Sequence, residues 1–175
     1  MDQSVPPLEN PAYFHVAFRP NLRLVSTVRR FTDEFYRRVL VDQEVSSRLA
    51  LATHELLENA VAYAVDGETG VRIDLADDNL TIKTWNRTSA DRVESVRAAI
   101  DEMNRAPDAD EYYQLMLLKT AKRTDGSGLG LARIRAEADM SVSYEIEDDR
   151  VCIVAKTKTP MPALQPGTGF PGAAP

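Results

Sequence analysis

Apolar residues recur along this chain at two periods, and each change from one to the other marks an element boundary. Ala12 to Arg19 holds Tyr13, Phe14, Val16 and Phe18 and reads as a strand that Pro20 ends. Asn21 is placed to cap a helix running to about Leu40, with Leu24, Val28, Phe31, Phe35 and Val39 on its apolar stripe. After a short break around Val41 comes the central stretch, Gln43 to Ala64. Val45, Leu49, Leu56, Leu57, Ala60, Val61 and Ala64 form one broad stripe on it at helical spacing, so this face points into a core. The helix stops near Asp66-Gly67. Val71, Ile73 and Leu75 then alternate with polar residues, Asp77-Asp78-Asn79 turns the chain, and Leu80, Ile82 and Thr84 alternate again, which predicts a β-hairpin. Helical spacing returns over Ala90 to Asn104 through Val93, Val96 and Ile100, and Pro107 breaks it. Asp108 or Asp110 caps a further helix, Glu111 to about Lys122. A glycine-rich loop, a short helix from Leu129 to Ala138 and a closing hairpin follow, the hairpin formed by Ser141 to Glu147, Asp148-Asp149 and Arg150 to Lys158.

Hairpins demand antiparallel neighbours, and these helices are too few to cover both faces of a parallel sheet. The expected fold is therefore a two-layer α/β sandwich, a mixed and mostly antiparallel sheet covered on one face by helices. Residues 1 to 11 carry three prolines and read as a loose lead-in. Residues 12 to 159 form one domain, and the proline- and glycine-rich residues 160 to 175 have little to bury and are expected to be disordered.

Composition narrows the function classes. The chain has 175 residues, 43% hydrophobic and 27% charged, the size and balance of a single globular domain. Its formal net charge is -6 with the acids scattered, so neither nucleic acid nor an anionic membrane is an expected partner. Cys152 is the one cysteine, which excludes an intramolecular disulfide and leaves a buried thiol as its expected state. No basic start leads into an apolar run, and nowhere do 18 apolar residues follow one another, so a cytoplasmic location is expected.

Two places carry candidate chemistry. Glu55 and Asn59 lie one turn apart on the central helix, flanked by Leu51, Ala52 and Ala62 rather than by charges. A carboxylate in such surroundings accepts protons more readily unless a cation compensates it, and an amide oxygen beside it suits Mg²⁺. Glu58 belongs to the same helix but points elsewhere, His54 has a structural or half-exposed reading, and His15 has no evident partner. The second place is Asp125 to Leu131, DGSGLGL. Its glycines at alternate positions permit positive φ and close backbone approach, and the N-terminus of the helix that follows offers free N–H groups to an anion. The spacing is not that of a Walker A loop, nor does it follow the first strand as a dinucleotide fingerprint does.

The two segments together resemble a known superfamily. HELLENAVAYA is similar to the N box, and GSGLGL to the G2 box, of the Bergerat-fold ATPases that include gyrase B, MutL and the histidine kinases. The compact length and FRPNLRLVSTVRRFTDEF ahead of the N box look most like the anti-sigma factor serine/threonine kinases, over roughly Ala12 to Lys158. The resemblance implies ATP and Mg²⁺. It places Glu55 as general base and Asn59 as Mg²⁺ ligand, with Gly126, Ser127, Gly128, Leu129 and Gly130 closing over the phosphates. Where the family carries a G1-box Asp and spaced glycines, this chain reads WNRTSA from Trp85 to Ala90, with Asn86 in the place of the adenine-recognising Asp. Asn104 to Thr124 takes the place of the lid, where Lys119, Lys122 and Arg123 either approach the phosphates or stabilise a helix end.

Two functions follow from the resemblance. One is a kinase for a small STAS-like anti-anti-sigma protein, with a sigma factor as a second partner and a homodimer through the first strand and helix. The other is a binding switch that keeps the fold, sequesters a regulatory protein and has lost catalytic strength along with its G1 box.

Overall fold

The computed structural model describes residues 13–76, 79–120 and 128–157. Among them the order is β1 (Tyr13–Phe18), α1 (Leu22–Val39), α2 (Gln43–Ala62), β2 (Thr69–Ala76), β3 (Asn79–Arg87), α3 (Ala90–Arg105), α4 (Ala109–Thr120), α5 (Leu129–Glu137), β4 (Met140–Glu147) and β5 (Arg150–Thr157). The strands form one sheet in the order β1-β2-β3-β5-β4, antiparallel at every pairing. β5 inserts between β3 and β4, so the chain leaves β3, runs through three helices and returns at the far edge.

Alternation decides which residues meet the helices. Val71, Ile73, Leu75, Leu80, Ile82, Val151, Ile153 and Ala155 are buried beneath them, while Arg72, Lys83 and Glu145 lie on the other face. Cys152 shares that open face and is half-buried, with its thiol pushed up in pKa mainly by desolvation. His15 packs its ring edge against Trp85 at 5.2 Å, so the partner missing from the sequence is an aromatic on the same face. Gly70 is there for close approach: a β-carbon on it would lie 2.3 Å from the Val16 carbonyl oxygen and 2.6 Å from the Trp85 ring.

The caps are those expected of short polar side chains. Asn21 accepts from the Arg23 N–H, Asp42 from Glu44 and Val45, and Asp108 rather than Asp110 from Glu111. The stripe of α1 differs from the expected one. Val25, Val28, Thr32 and Tyr36 are the buried positions, whereas Leu24 and Phe31 are exposed. The stripe is displaced because polar members are satisfied inside: the Thr32 hydroxyl donates to the Arg29 carbonyl, and Tyr36 Oη lies 2.7 Å from Thr53 Oγ1. On α2 the expected face holds, with Leu49, Leu56, Leu57, Ala60 and Val61 buried.

Arg135 on α5 donates to the carbonyls of Met103 and Ala106 and so ties that helix to the C-terminal end of α3. The expected disorder of residues 160 to 175 and the lead-in over residues 1 to 11 lie outside the described residues, as do Gly126, Ser127, Lys122 and Arg123.

Candidate functional site

The site begins where β3 runs out beneath the helices. Leu80, Ile82, Thr84 and Asn86 share the face toward the helical layer, and Asn86 is buried opposite Val151 of β5. Its Nδ2 donates to the Arg87 carbonyl at 3.4 Å. Side-chain and backbone hydrogen bonds then hold the chain that follows. Arg87 grips the Asp149 carboxylate with Nε and Nη2, down to 2.7 Å, and this pairing holds the Asp149 carboxyl below its usual range. The Thr88 N–H donates to the Asp149 carbonyl at 2.8 Å, and the Thr88 hydroxyl to the carbonyl of Tyr63 at 2.8 Å. Asn86 and Thr88 are thus fixed between the C-terminal end of α2 and the β4–β5 turn.

The opposite wall is the meeting of α2 with α5. Gly128 precedes α5 with φ of +94°, a left-handed conformation that a side chain strains, and its carbonyl accepts from the Ala132 N–H. Gly130 is needed for a different reason. A β-carbon there would lie 2.6 Å from Glu55 Oε2 and 3.5 Å from Asn59 Nδ2, so the start of α5 presses directly on both polar residues of α2. The glycine spacing and the Glu-Asn spacing, far apart in the chain, are two halves of one contact.

Glu55 does not stand among apolar groups alone. Its Oε1 is 3.3 Å from Arg133 Nη1, and Arg133 Nε is 2.8 Å from Glu137 Oε2. Tyr113 of α4 joins this group, its phenol pushed up in pKa first by burial and then by the Glu137 charge. The compensating cation that the sequence reading allowed for is therefore Arg133, three residues beyond Gly130 on α5. The Glu55 side chain keeps 20% exposure, so it is reachable from solvent. Glu58 is exposed and 3.6 Å from His54 Nε2, which leaves both out of the site. Lys119 is 3.3 Å from Glu102 on α3 and is occupied there.

Between the two walls lies a cleft that holds about 530 Å³ of space counted out to its open, solvent-filled mouth. Asn59, Tyr63, Asn86, Thr88, Arg92 and Gly128 are its chemically informative lining, over a floor that includes Leu131, Val151 and Ile153. Of the residues singled out from sequence, Asn59, Asn86 and Gly128 line the pocket, Glu55 and Gly130 meet at the α2–α5 contact beside it, and Leu129 is the first residue of α5. Tyr63, Thr88, Arg92 and Arg133 were not anticipated. Tyr63 carried a usable signal, since it follows Asn59 by four positions and caps the C-terminus of the same helix.

A family model for a histidine kinase-like ATPase domain matches residues 18–157, from the last residue of β1 to the last of β5. The chain belongs to that family. The histidine kinase-like ATPase fold is also shared with a chain in the crystal structure of the SiaB–SiaC complex from Pseudomonas aeruginosa. The TM-score is 0.61 at 16% identity, over 81% of this chain and 88% of that one. No curated protein matches by sequence. Membership in this ATPase family implies ATP as a ligand, and the residues fit it. Apolar walls flank the buried Asn86 amide, and a helix start whose two glycines admit no side chain without strain or displacement faces Asn59. No group of three or more His, Cys, Asp or Glu side chains is placed to hold a metal among the described residues. No described helix is long and apolar enough to cross a membrane.

Proposed function

We propose that this protein is an ATP-dependent serine/threonine kinase that phosphorylates a small regulatory partner of the STAS-like, anti-anti-sigma kind. The observation that carries the reading is the contact of Gly130 with Glu55 and Asn59. It sets a reachable carboxylate and an amide against a helix N-terminus suited to phosphate. Glu55 Oε1 faces Arg133, so Oε2, on the Gly130 side, is the oxygen left to accept the proton of a serine or threonine hydroxyl. Arg133 and Glu137 hold that carboxylate in place. Asn59 would hold Mg²⁺, Asn86 the base, and the backbone N–H groups from Gly126 through Ser127, Gly128, Leu129 and Gly130 the phosphates. When bound, Mg²⁺ offsets charge on the phosphoryl group in transfer.

A protein acceptor is supported by the resemblance to anti-sigma factor kinases and by the fold shared with a chain of a two-protein complex. The same resemblance supports a sigma factor as a second partner. It also supports a homodimer through β1 and α1, where β1 is a sheet edge and Phe31, 63% exposed, packs on Phe14. A second reading, a binding switch with weak or no catalysis, is favoured by Asn86 in place of an acid and by the ion pair that occupies Glu55.

Calorimetric titration of MgATP separates the two. The kinase reading expects saturable binding to the wild type. It expects a loss of about 10- to 100-fold in Asn59→Ala, from the missing ligand oxygen, and a comparable loss in Gly128→Val, from the strained φ. A folded wild type that binds no nucleotide would leave the switch as the function.

A further inference from the structure

Arg92 opens the first turn of α3 and is the cation of the pocket. Its guanidinium carbon lies 3.3 Å from the centroid of the Tyr63 ring. Its Nε is buried with no hydrogen-bond partner, and among the described residues Arg92 joins no salt bridge. A buried N–H without an acceptor is rare in a folded protein, and here it belongs to a side chain that lines the cleft between α2, α3 and β3.

The remaining polar groups of the cavity make that donor informative. The Thr88 hydroxyl gives its hydrogen to the Tyr63 carbonyl and turns only lone pairs elsewhere. Asn86 spends one amide N–H on the Arg87 carbonyl, which leaves it an oxygen and one N–H. Among the described residues no acidic side chain lines the pocket. A carboxylate at position 86 would only accept, and it would repel a carbonyl oxygen. The lining present here can both accept and donate, and it adds a cationic fork. Two adjacent acceptors, the O6 and N7 atoms of guanine, are the base edge that an arginine fork matches, while an asparagine amide serves adenine.

We propose that Arg92 is a specificity-determining residue and that it makes this pocket accept guanine nucleotides alongside adenine nucleotides. The proposal rests on the reading of the pocket as a nucleotide site. Arg92 supplies the donors that a guanine carbonyl needs, and Asn86 and Thr88 supply acceptors for the ring and amino hydrogens.

The test is calorimetric titration of MgATP and MgGTP, separately, into the wild type and Arg92→Met, each checked for folding by thermal melting. The wild type is expected to bind MgGTP within about tenfold of MgATP. Arg92→Met keeps the stem and removes the fork, so MgGTP should weaken by roughly 5- to 100-fold and MgATP by less than about threefold. If Arg92→Met does not fold, Arg92→Lys, which keeps the charge without the fork, should show the same selective loss. Tight MgATP binding with MgGTP more than about 100-fold weaker in the wild type overturns this proposal and leaves the nucleotide site standing. Equal weakening of both nucleotides in Arg92→Met also overturns it, because Arg92 would then only pack on Tyr63. Binding of neither nucleotide by a folded wild type overturns both readings together.

Discussion

Gly130→Ala is expected to fold, to bind MgATP within about tenfold of the wild type, and to lose roughly 100-fold in phosphoryl transfer. Gly130 is helical, so the backbone accepts alanine without strain, and the added methyl meets only ordinary contacts with Glu55 Cβ at 3.6 Å and Asn59 Nδ2 at 3.5 Å. The exception is Glu55 Oε2 at 2.6 Å, which has to swing away. A carboxylate end can move at small cost, so stability changes little. The displaced oxygen is the proton acceptor of the proposed reaction, and a shift of about 1 Å in a reacting group costs on the order of 100-fold. Steady-state transfer rates beside calorimetric affinities check this. A loss confined to affinity would place Gly130 in binding rather than in the alignment of Glu55.

Gly70→Ala is expected to lower stability by about 3 kcal/mol, the largest effect foreseen for a single methyl group here. The new β-carbon would meet the Val16 carbonyl oxygen at 2.3 Å and the Trp85 ring at 2.6 Å. One obstacle is backbone and the other is a nearly buried indole already set against His15, so neither yields as a side-chain tip would. Relief requires β1 to move off β2 or Trp85 to leave its place. Thermal melting should show a midpoint about 10 °C lower, at the few degrees per kcal/mol usual for this size. A melting temperature within about 2 °C of the wild type would mean that the β1–β2 approach is loose.

Much of the molecule was legible because its signals are local. Hairpins announced themselves by alternation and turn residues, and Asn21 and Asp108 bring an amide or carboxylate to N–H groups only two or three residues away. The Glu55-to-Asn59 and glycine spacings were legible as motifs, yet their meeting at Gly130 depends on how α5 lands on α2, which no period in the sequence encodes. Arg133 was missed for the same reason, because it reads as one more surface cation until α5 delivers it to Glu55. The stripe of α1 was displaced because Thr32 and Tyr36 count as polar in a pattern but are buried once their hydroxyls find partners. Arg92 gave no signal, since its meaning comes from Tyr63 beneath it and from an unmatched Nε.

The central claim, a kinase whose proton acceptor is Glu55, is tested most directly by following the γ-phosphate. Wild type and Glu55→Gln are incubated with γ-labelled MgATP in an extract of the cells that make the protein, and the label is mapped by mass spectrometry. The account predicts label on a serine or threonine of a small protein, reduced by about 100- to 10,000-fold with Glu55→Gln while MgATP still binds. Equal labelling by the two proteins, or no label above that of the extract alone, would contradict it.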